Sequence, residues 1–545
     1  MKKDFKDMVV YQIYPKSFQD TNGDGFGDLN GIRKRLGQLN KLGVDMIWIT
    51  PFFKSHQHDN GYDVDDYKSI DPRYGDFDDF NKLVKEADEL GMGIMLDMVF
   101  NHSSIYHSWF QEALKGNPKY MDYYIFKDPV EGKAPTNWVS KFGGPAWEYV
   151  EDLDKYYLHL FHRAQADLNW ENEDLRNELV DIIKFWKDKG VKGFRFDVIN
   201  LISKPEIYED DLIGDGRRFY TDGPKVHDYI KELSKKAKLE EVLTVGEMSS
   251  TSIDNCILYT NPKEKELDMT FSFHHLKVDY KDGKKWDLDK VRWHELKEIF
   301  DDWQLGMQES NGWSAWFFNN HDQPRAISRF GDDENYHYET ASMLANITHL
   351  LRGTPYIYQG EEIGMTDPNF TSIDQYRDVE SLNYYEILRE EGKTNEEALY
   401  ILSKRSRDNS RTPLAWDSSK NAGFTSGKPW LELNDFSKIN YEKALEDKNS
   451  IFYHYQKLIR LRKTNPLVSR GFYKPVKTPD KIYAFERFID DKSLIVINNF
   501  SGKKIENTMD DKLKQKYRNS NILLNNYPCF DIDSLEPYQS LVIEN

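Results

Sequence analysis

Short hydrophobic runs alternate with amphipathic segments through most of the chain. The runs are rich in β-branched and aromatic residues, and the segments between them repeat apolar residues at helical spacing. Eight such runs can be counted, and they begin at Val9, Asp45, Gly93, Gly193, Leu243, Met269, Trp313 and Pro355. Alternating strands and helices predict a parallel sheet with crossover helices, and eight strands predict a closed (β/α)8 barrel, the TIM barrel.

The segments between the runs have the periodicity expected of the outer helices of a barrel. In the segment from Asp76, apolar residues recur near every 3.6 positions until Gly91 stops the helix: Phe77, Phe80, Leu83, Val84 and Leu90. This stripe predicts ordinary core packing.

Two stretches interrupt the alternation, and the C-terminal part departs from it. Residues 103–170 carry four tryptophans and are too long for a barrel loop, so they predict an inserted lid domain (domain B) between two parts of the catalytic barrel, residues 1–102 and 171–465. Within the second part, residues at about 363–445 predict an irregular excursion. After an amphipathic helix that ends near Pro466, residues 466–545 predict a C-terminal antiparallel β-sandwich domain.

The composition limits the class of protein and its partners. At 545 residues the chain exceeds one hydrophobic core, so we expect one large domain with smaller additions. A formal net charge of −18 disfavours nucleic acid and anionic membranes as partners, because the long-range field repels polyanions. The aromatic fraction of 14% suits a sugar-binding cleft, whose walls need flat rings with polar edges, although a large aromatic core would also account for it.

Cysteine usage and the absence of long apolar runs indicate the compartment. Cys256 and Cys529 cannot form a disulfide framework and lack metal-ligand spacing, so we interpret both as packing residues. The N-terminal residues lack the unbroken apolar stretch of a signal peptide, and no later run reaches the length of a membrane span. We therefore expect a cytoplasmic protein that is a monomer or weak dimer and needs no organic cofactor.

Carboxylates stand at the ends of three predicted barrel strands, where the active sites of such barrels form. Arg195 and Asp197 are two apart in the fourth strand and point the same way; the arginine would keep the carboxylate ionised, as a nucleophile requires, although a structural ion pair would look the same. Glu247 closes the fifth strand after an apolar run, an environment that suits a proton donor. Asp322 follows His321 at the end of the seventh. Glycoside hydrolysis needs two carboxyl groups beside the scissile bond, and a third can hold sugar hydroxyls.

These segments are similar to the four conserved motifs of the alpha-amylase family, glycoside hydrolase family 13. They are DMVFNH, which ends in His102, GFRFDVIN around Arg195 and Asp197, VGEM with Glu247, and NNHDQPR with His321 and Asp322. The resemblance implies that Asp197 attacks the anomeric carbon, that Glu247 protonates the leaving group and then activates water, and that Asp322 grips the hydroxyls of the distorted sugar. It also implies a pocket for the nonreducing glucose, formed by Asp59, Tyr62, His102, Arg195, His321 and Arg411.

Longer segments narrow the resemblance to two groups within the family, the oligo-1,6-glucosidases and the trehalose-6-phosphate hydrolases. SKFGGPAWE, GDGRRFYTDGPKVH and ELDMTFSFHHLKVDY are similar to the second group. They imply a retaining α-glucosidase of trehalose catabolism that hydrolyses α,α-trehalose 6-phosphate to glucose and glucose 6-phosphate. The alternative is an oligo-1,6-glucosidase that acts on nonreducing α-1,6-linked glucose. A transporter subunit of this fold would need a transmembrane helix and would lack the carboxylates, and the sequence has neither feature.

A phosphorylated substrate requires basic groups on the leaving-group side of the cleft. A phosphomonoester carries nearly two negative charges, so an acidic protein must place donors beside it. The segment after the sixth strand should overlook that side, and Lys277 and His275 are the predicted phosphate ligands, with Arg217 and Arg218 ranked below them. An exposed basic turn that balances nearby aspartates would have the same sequence.

A loop near the N-terminus predicts a metal site. Oxygen ligands repeat at every second position with glycines between them: Asp20, Asn22, Asp24, the carbonyl of Phe26, and Asp28. The match is incomplete, because Gly31 stands where a helix-loop-helix calcium site needs a glutamate. The resemblance to oligosaccharide-cleaving relatives implies a structural Ca²⁺ far from catalysis, and an Asx turn without metal is the alternative.

Overall fold

The computed structural model describes residues 4–545, and its centre is a closed barrel of eight parallel strands. This confirms the predicted fold class. The strands follow one another in chain order, and the last pairs with the first. We number them barrel strands 1–8: Val10–Ile13, Met46–Ile49, Gly93–Met98, Gly193–Phe196, Leu243–Glu247, Met269–Phe271, Ser314–Trp316 and Thr354–Tyr358.

A helix follows every barrel strand. These helices are Leu29–Leu42, Phe77–Glu89, Glu173–Asp188, Val226–Ala237, Ile253–Tyr259, Trp293–Glu309, His337–Leu350 and Ile451–Thr464. Asp76 caps the second by accepting the N–H groups of Asp78 and Asp79. Leu90, which the sequence placed on the buried stripe, is 40% exposed because the helix has ended before it. No helix within residues 4–545 is long and apolar enough to cross a bilayer.

The insertion after barrel strand 3, residues 103–170, is called the lid below. His102–Ser104 pairs antiparallel with Gln165–Asp167 where the chain leaves and rejoins the barrel. Between them lie the helices Ser108–Leu114 and Pro118–Met121 and an antiparallel sheet of Phe126–Lys127, Lys155–Leu158 and Trp147–Val150. The buried Lys204 Nζ lies 2.8 Å from Asp167 Oδ2 of the lid and 2.8 Å from Asn101 Oδ1 of the barrel, which ties the two together.

The stretch at 363–445 is not the irregular excursion that the sequence predicted. It contains the helices Val379–Glu390, Asn395–Arg405, Asp408–Arg411 and Tyr441–Glu446. The first two form a small core of their own with Trp286, Leu388 and Leu402. Charged residues interrupt their apolar stripes, which hid the helical period. The capping box between Thr394 and Glu397 was the available signal.

Shorter elements occupy the remaining connections. Antiparallel ribbons pair Phe53–Ser55 with Val64–Ile70 and Tyr280–Lys281 with Lys284–Leu288. Three short helices complete the barrel part: Arg217–Tyr220, Ala326–Phe330 and Pro466–Ser469.

The C-terminal residues form a five-stranded antiparallel sheet that shares one face with the barrel. In spatial order its strands are Phe472–Val476, Ile482–Ile489, Lys492–Asn499, Ser540–Glu544 and Asn521–Asn525. Phe485 and Val496 on one face belong to the same hydrophobic cluster as the barrel, and Arg487 Nη1 donates to the Leu350 carbonyl at 2.6 Å. The other face packs on the second layer, which is the helix Asp511–Tyr517 and the two-stranded sheet of Ile505–Glu506 and Ser534–Leu535.

Candidate active site

A cleft opens at the carboxyl ends of the barrel strands, and the three predicted carboxylates line it. Asp197 directly follows barrel strand 4, Glu247 ends strand 5, and Asp322 lies in the loop after strand 7. Parallel strands bring their carboxyl ends to one edge, so residues far apart in sequence meet here. Asp197 and Glu247 are only 7% and 9% exposed, and the lid contributes Phe142 and Phe161 to the wall.

Arg195 is buried beside this cluster and contacts three carboxylates. Its Nη1 donates to Asp197 Oδ1 at 2.7 Å and to Asp97 Oδ1 at 2.6 Å, and its Nη2 contacts Glu247 Oε2. Asp197 and Glu247 therefore bind different nitrogens of one guanidinium group, which keeps the two carboxyl groups close together. Retaining glycosidases hold their two carboxyl groups about 5 to 5.5 Å apart, and this arrangement is compatible with that spacing.

The surroundings of Asp197 and Asp322 shift the pKa values of the two carboxyl groups in opposite directions. Burial raises the pKa of Asp197 to about 7, although Arg195 acts to lower it and Asp97 raises it further. Arg195 thus acts in the expected direction, toward the ionised form of Asp197, and burial opposes it. Burial also acts to raise the pKa of Asp322, but His321 and three arginines outweigh it and hold that pKa well below its usual range.

The backbone is strained directly after Asp197. Val198 has φ 36° and ψ 40°, in the left-handed region that a β-branched residue rarely adopts. Its side chain lines the cleft. Strain of this kind persists only where the surroundings impose it, and here it fixes the direction in which the chain leaves barrel strand 4.

Most residues expected around the nonreducing glucose lie together on the buried side of the cleft. Tyr62 stacks on His321 with ring planes 3° apart and donates to Asp97 Oδ2 at 3.0 Å. His102 Nε2 lies 3.2 Å from the Tyr62 carbonyl oxygen, and burial lowers the pKa of His102 to about 4, so its ring is neutral. Asp59, Tyr62 and His102 line the cleft, whereas His321 is buried and supports Tyr62.

Arg407, and not the predicted Arg411, is the arginine on the cleft wall. Arg407 Nη2 lies 3.0 Å from Asp59 Oδ1 and 2.5 Å from Asp378 Oδ1. Arg411 is completely buried and donates from Nη2 to Asp322 Oδ1 at 2.8 Å, so it holds that carboxylate and cannot reach a sugar. Both arginines belong to RDNSRTP, and the sequence does not show which one faces the cleft.

Two ammonium groups line the cleft without a carboxylate partner. Lys277 follows barrel strand 6, Lys141 comes from the lid, and both side chains are half-buried. Lys141 Nζ lies 3.2 Å from Ser249 Oγ, and among the salt bridges of residues 4–545 neither lysine has an acidic partner within 4 Å, although Asp215 and Asp167 act on Lys141 from farther away. Burial lowers the pKa of both lysines, that of Lys141 to about 7, and the positive charge of Arg217 lowers both further.

His275, the second predicted phosphate ligand, is turned away from the cleft. It is buried among aromatic rings, and its Nε2 lies 2.7 Å from the Phe317 carbonyl oxygen. Burial lowers the pKa of His275 to about 3, so the ring carries no charge. The prediction that it binds phosphate is therefore wrong. The 3₁₀ turn His274–Leu276 sends neighbouring side chains in different directions, which the sequence could not show.

The other basic candidates are already paired. Arg217 and Arg218 each bind an aspartate of their own segment, at 2.5 Å and 3.0 Å, and lie outside the cleft lining. Lys285 lines the cleft but lies 2.6 Å from Glu380 Oε2. Lys141 is the cation that the sequence reasoning missed, although SKFGGPAWE contains it.

The predicted calcium loop, residues 20–28, does not line the cleft. The Asp20 carboxylate accepts the N–H groups of Asn22, Gly23 and Gly25 at 2.9, 2.8 and 2.9 Å, and Asp28 caps the helix Leu29–Leu42. The loop's carboxylate, amide and carbonyl oxygens are of the kind that Ca²⁺ prefers. Within the described residues, no group of three or more acidic, histidine or cysteine side chains is arranged to hold a metal ion. The ion therefore stays a prediction.

Comparisons with known proteins agree with this geometry. The model of the alpha amylase catalytic domain matches residues 12–471. The chain is 52% identical to the trehalose-6-phosphate hydrolase of Bacillus subtilis (strain 168), over 99% of this chain and 97% of that one, and 45% identical to the oligo-1,6-glucosidase of Parageobacillus thermoglucosidasius, over 98% and 96%. The crystal structure of Bacillus licheniformis trehalose-6-phosphate hydrolase matches with a TM-score of 0.94 at 49% identity and covers 99% of both chains. On its sequence, its barrel and these matches, the chain belongs to the alpha-amylase family.

Proposed function

We propose that this protein is a retaining α-glucosidase that hydrolyses α,α-trehalose 6-phosphate to glucose and glucose 6-phosphate. The observation that carries the proposal is the pair of lysines, Lys141 and Lys277, that line the cleft with no carboxylate in a close ion pair. A phosphate group supplies the missing negative charge and accepts charge-assisted hydrogen bonds. A neutral disaccharide would leave both half-buried lysines without a close counter-charge.

The names of the relatives support the same substrate. A relative named trehalose-6-phosphate hydrolase is 52% identical to this chain, and five relatives named oligo-1,6-glucosidase or probable oligo-1,6-glucosidase are 42–46% identical. An oligo-1,6-glucosidase is therefore the second candidate. It would use the same carboxylates and would need no phosphate site.

The burial pattern indicates the orientation of the substrate. Asp59, Tyr62 and His102 are almost fully buried, whereas Lys141 and Lys277 are half-buried. The unmodified glucose therefore occupies the deep pocket, and the phosphorylated glucose lies toward the lysines. The scissile oxygen then lies between them, beside Asp197 and Glu247.

The carboxylates carry out a double displacement in this arrangement. Asp197 attacks the anomeric carbon of the deep glucose while Glu247 protonates the glycosidic oxygen, and glucose 6-phosphate leaves. Glu247 then takes a proton from water, which attacks the glycosyl-enzyme and releases glucose with the α configuration retained. Asp322, held ionised by neighbouring cations, binds hydroxyls of the distorted ring.

Substrate profiling tests the proposal directly. The purified protein should cleave trehalose 6-phosphate with a kcat/KM at least about 100-fold above that for trehalose, the factor that about 2.8 kcal/mol of charge-assisted bonding provides. Asp197→Asn should abolish turnover, and NMR should show that the released glucose is initially the α anomer. Faster cleavage of isomaltose would favour the second candidate, for which Lys277→Ala should leave the preferred substrate unaffected.

We propose two further properties of the protein, a structural ion site and its location and oligomeric state. The loop at residues 20–28 binds a structural Ca²⁺ through oxygen donors and stabilises the start of the helix Leu29–Leu42. The protein acts in the cytoplasm, because a charged sugar phosphate does not cross a lipid bilayer unaided. It acts there as a monomer or weak dimer. Cell fractionation tests the location of the protein, and sedimentation in the analytical ultracentrifuge tests its oligomeric state.

A further inference from the structure

The segments that follow Asp197 and Glu247 are joined by the side chain of Asn200. Asn200 lies three residues after Asp197, and Ser249 lies two residues after Glu247. The Asn200 Nδ2 donates to the Ser249 carbonyl oxygen at 2.9 Å, and Asn200 Oδ1 accepts from the Ser249 N–H at 2.9 Å. Two hydrogen bonds from one planar amide fix both the distance and the orientation of the segment that they hold.

This link stands where the pairing of the barrel strands stops. Strands 4 and 5 pair in register as far as Phe196 opposite Gly246, one residue before each carboxylate. Beyond that point the N–H groups of Asp197 and Met248 bond to the outer neighbours, strands 3 and 6. The Asn200 amide reconnects the two segments just past the reacting groups.

Asn200 is itself held firmly. It is completely buried, and its Nδ2 also lies 3.1 Å from Asp222 Oδ1. The Asp222 N–H donates to the Asn200 carbonyl oxygen at 2.9 Å. The Asp222 carboxylate accepts three more hydrogen bonds, from Thr251 Oγ1, Asn255 Nδ2 and Tyr259 Oη at 2.9, 2.7 and 2.7 Å. Asp222 thus anchors the amide that holds Ser249.

We propose that Asn200 is a positioning residue that sets Glu247 at the correct distance from the glycosidic oxygen above Asp197. It acts through the backbone of Ser249 and does not touch the substrate. Proton transfer to a leaving oxygen requires hydrogen-bond distance, so a small displacement of Glu247 weakens acid catalysis while Asp197 stays in place on strand 4. The inference rests on the proposed function, because it assumes that Glu247 is the general acid.

The dependence of the rate on the leaving group tests this role. The kcat/KM reports the steps up to formation of the glycosyl-enzyme, in which the sugar leaving group of trehalose 6-phosphate needs protonation and the fluoride of α-glucosyl fluoride needs much less. Asn200→Ala should lower kcat/KM for trehalose 6-phosphate and for unphosphorylated trehalose alike by about 10- to 100-fold, the range expected when a catalytic group is misplaced by about 1 Å. The kcat/KM for α-glucosyl fluoride should fall by less than about 3-fold, because acid catalysis contributes little to it.

Asn255→Ala is the matched control. It also removes an amide that bonds to Asp222, but it leaves Ser249 untouched, so both substrates should stay within about 2-fold of the wild type. If Asn200→Ala does not fold, as judged by circular dichroism, Asp222→Asn keeps the side-chain size, loosens the anchor and should show the same selective loss at smaller magnitude. An equal loss on both substrates, or no loss on either, would overturn the proposal.

A separate variant distinguishes this inference from the function on which it rests. Glu247→Gln should reproduce the leaving-group pattern in full, with a large loss for trehalose 6-phosphate and a small one for the fluoride. If Glu247→Gln lowers both equally, the assigned role of Glu247 fails. If Glu247→Gln shows the pattern and Asn200→Ala does not, only the positioning role of Asn200 fails.

Discussion

Removing the charge of Lys141 or Lys277 should cost selectivity for the phosphorylated substrate and little else. Methionine keeps most of the length of a lysine side chain, so Lys277→Met and Lys141→Met remove an ammonium group with little change in volume. A hydrogen bond to a charged group contributes about 1.5–3 kcal/mol, which corresponds to about 10- to 150-fold in kcat/KM for trehalose 6-phosphate. The same variants should change kcat/KM for trehalose by less than about 2-fold, because neither lysine bonds to a catalytic carboxylate.

The measured quantity is the ratio of kcat/KM for the two substrates, followed by glucose release. Lys284→Met is the matched control, because Lys284 is exposed in the same part of the chain and does not line the cleft. Raising the ionic strength from 0.05 to 0.5 M should lower the ratio in the wild type and change it less in the double variant, since salt screens the attraction to phosphate.

Two results would refute this reasoning. An equal loss on both substrates would mean that the lysines support the fold of the cleft and not the phosphate. An unchanged ratio would move the phosphate elsewhere, with Lys285 as the next cation that lines the cleft. If the two losses are strongly non-additive, both lysines bind one phosphate group.

Three other perturbations test different parts of the structure. The kcat/KM for trehalose should fall below about pH 7, because Asp197 must be ionised and burial raises its pKa to about 7. Asp97→Asn removes a neighbouring negative charge, so it should move this fall to lower pH in a pH–rate profile. EDTA should lower the melting temperature of the wild-type protein, and added Ca²⁺ should restore it. Asp24→Ala should lose this response, so a variant that responds as the wild type does would exclude an ion at residues 20–28. Trp186→Ala should lower the free energy of unfolding in urea by about 3–5 kcal/mol, because its fully buried ring packs against Phe52, Phe53 and Phe80; a loss below about 1 kcal/mol would contradict this packing.

The barrel could be predicted because its strands are buried on both faces and therefore appear as continuous apolar runs. Every predicted run overlaps one observed barrel strand, including Ser314–Trp316, which has only three residues. The helices Val379–Glu390 and Asn395–Arg405 could not be predicted in this way. Each buries only three or four residues, some of them polar or charged, so tertiary packing and not amphipathic period holds them in place.

The site could be predicted only where the position of a residue along a barrel strand determines the direction in which its side chain points. Strand ends brought Asp197, Glu247 and Asp322 into one cleft, as the barrel geometry requires. Loop residues lack such a rule, so His275 was placed in the cleft and is found in the core. Lys141 was missed because its proximity to barrel strand 6 arises from the fold of the lid and not from any local pattern.

The sheet at the C-terminus has a consequence for anyone who wishes to shorten this protein. Because Phe485 and Val496 complete the packing of the barrel, and Arg487 satisfies a carbonyl at the end of the helix His337–Leu350, the sheet acts as a wall that the barrel lacks on its own. A protein truncated after residue 465 would expose apolar surface of the barrel and leave the Leu350 carbonyl without this hydrogen bond. Minimal versions of the enzyme should therefore be sought by trimming surface loops, and fusion tags are best placed at the exposed end of the sheet.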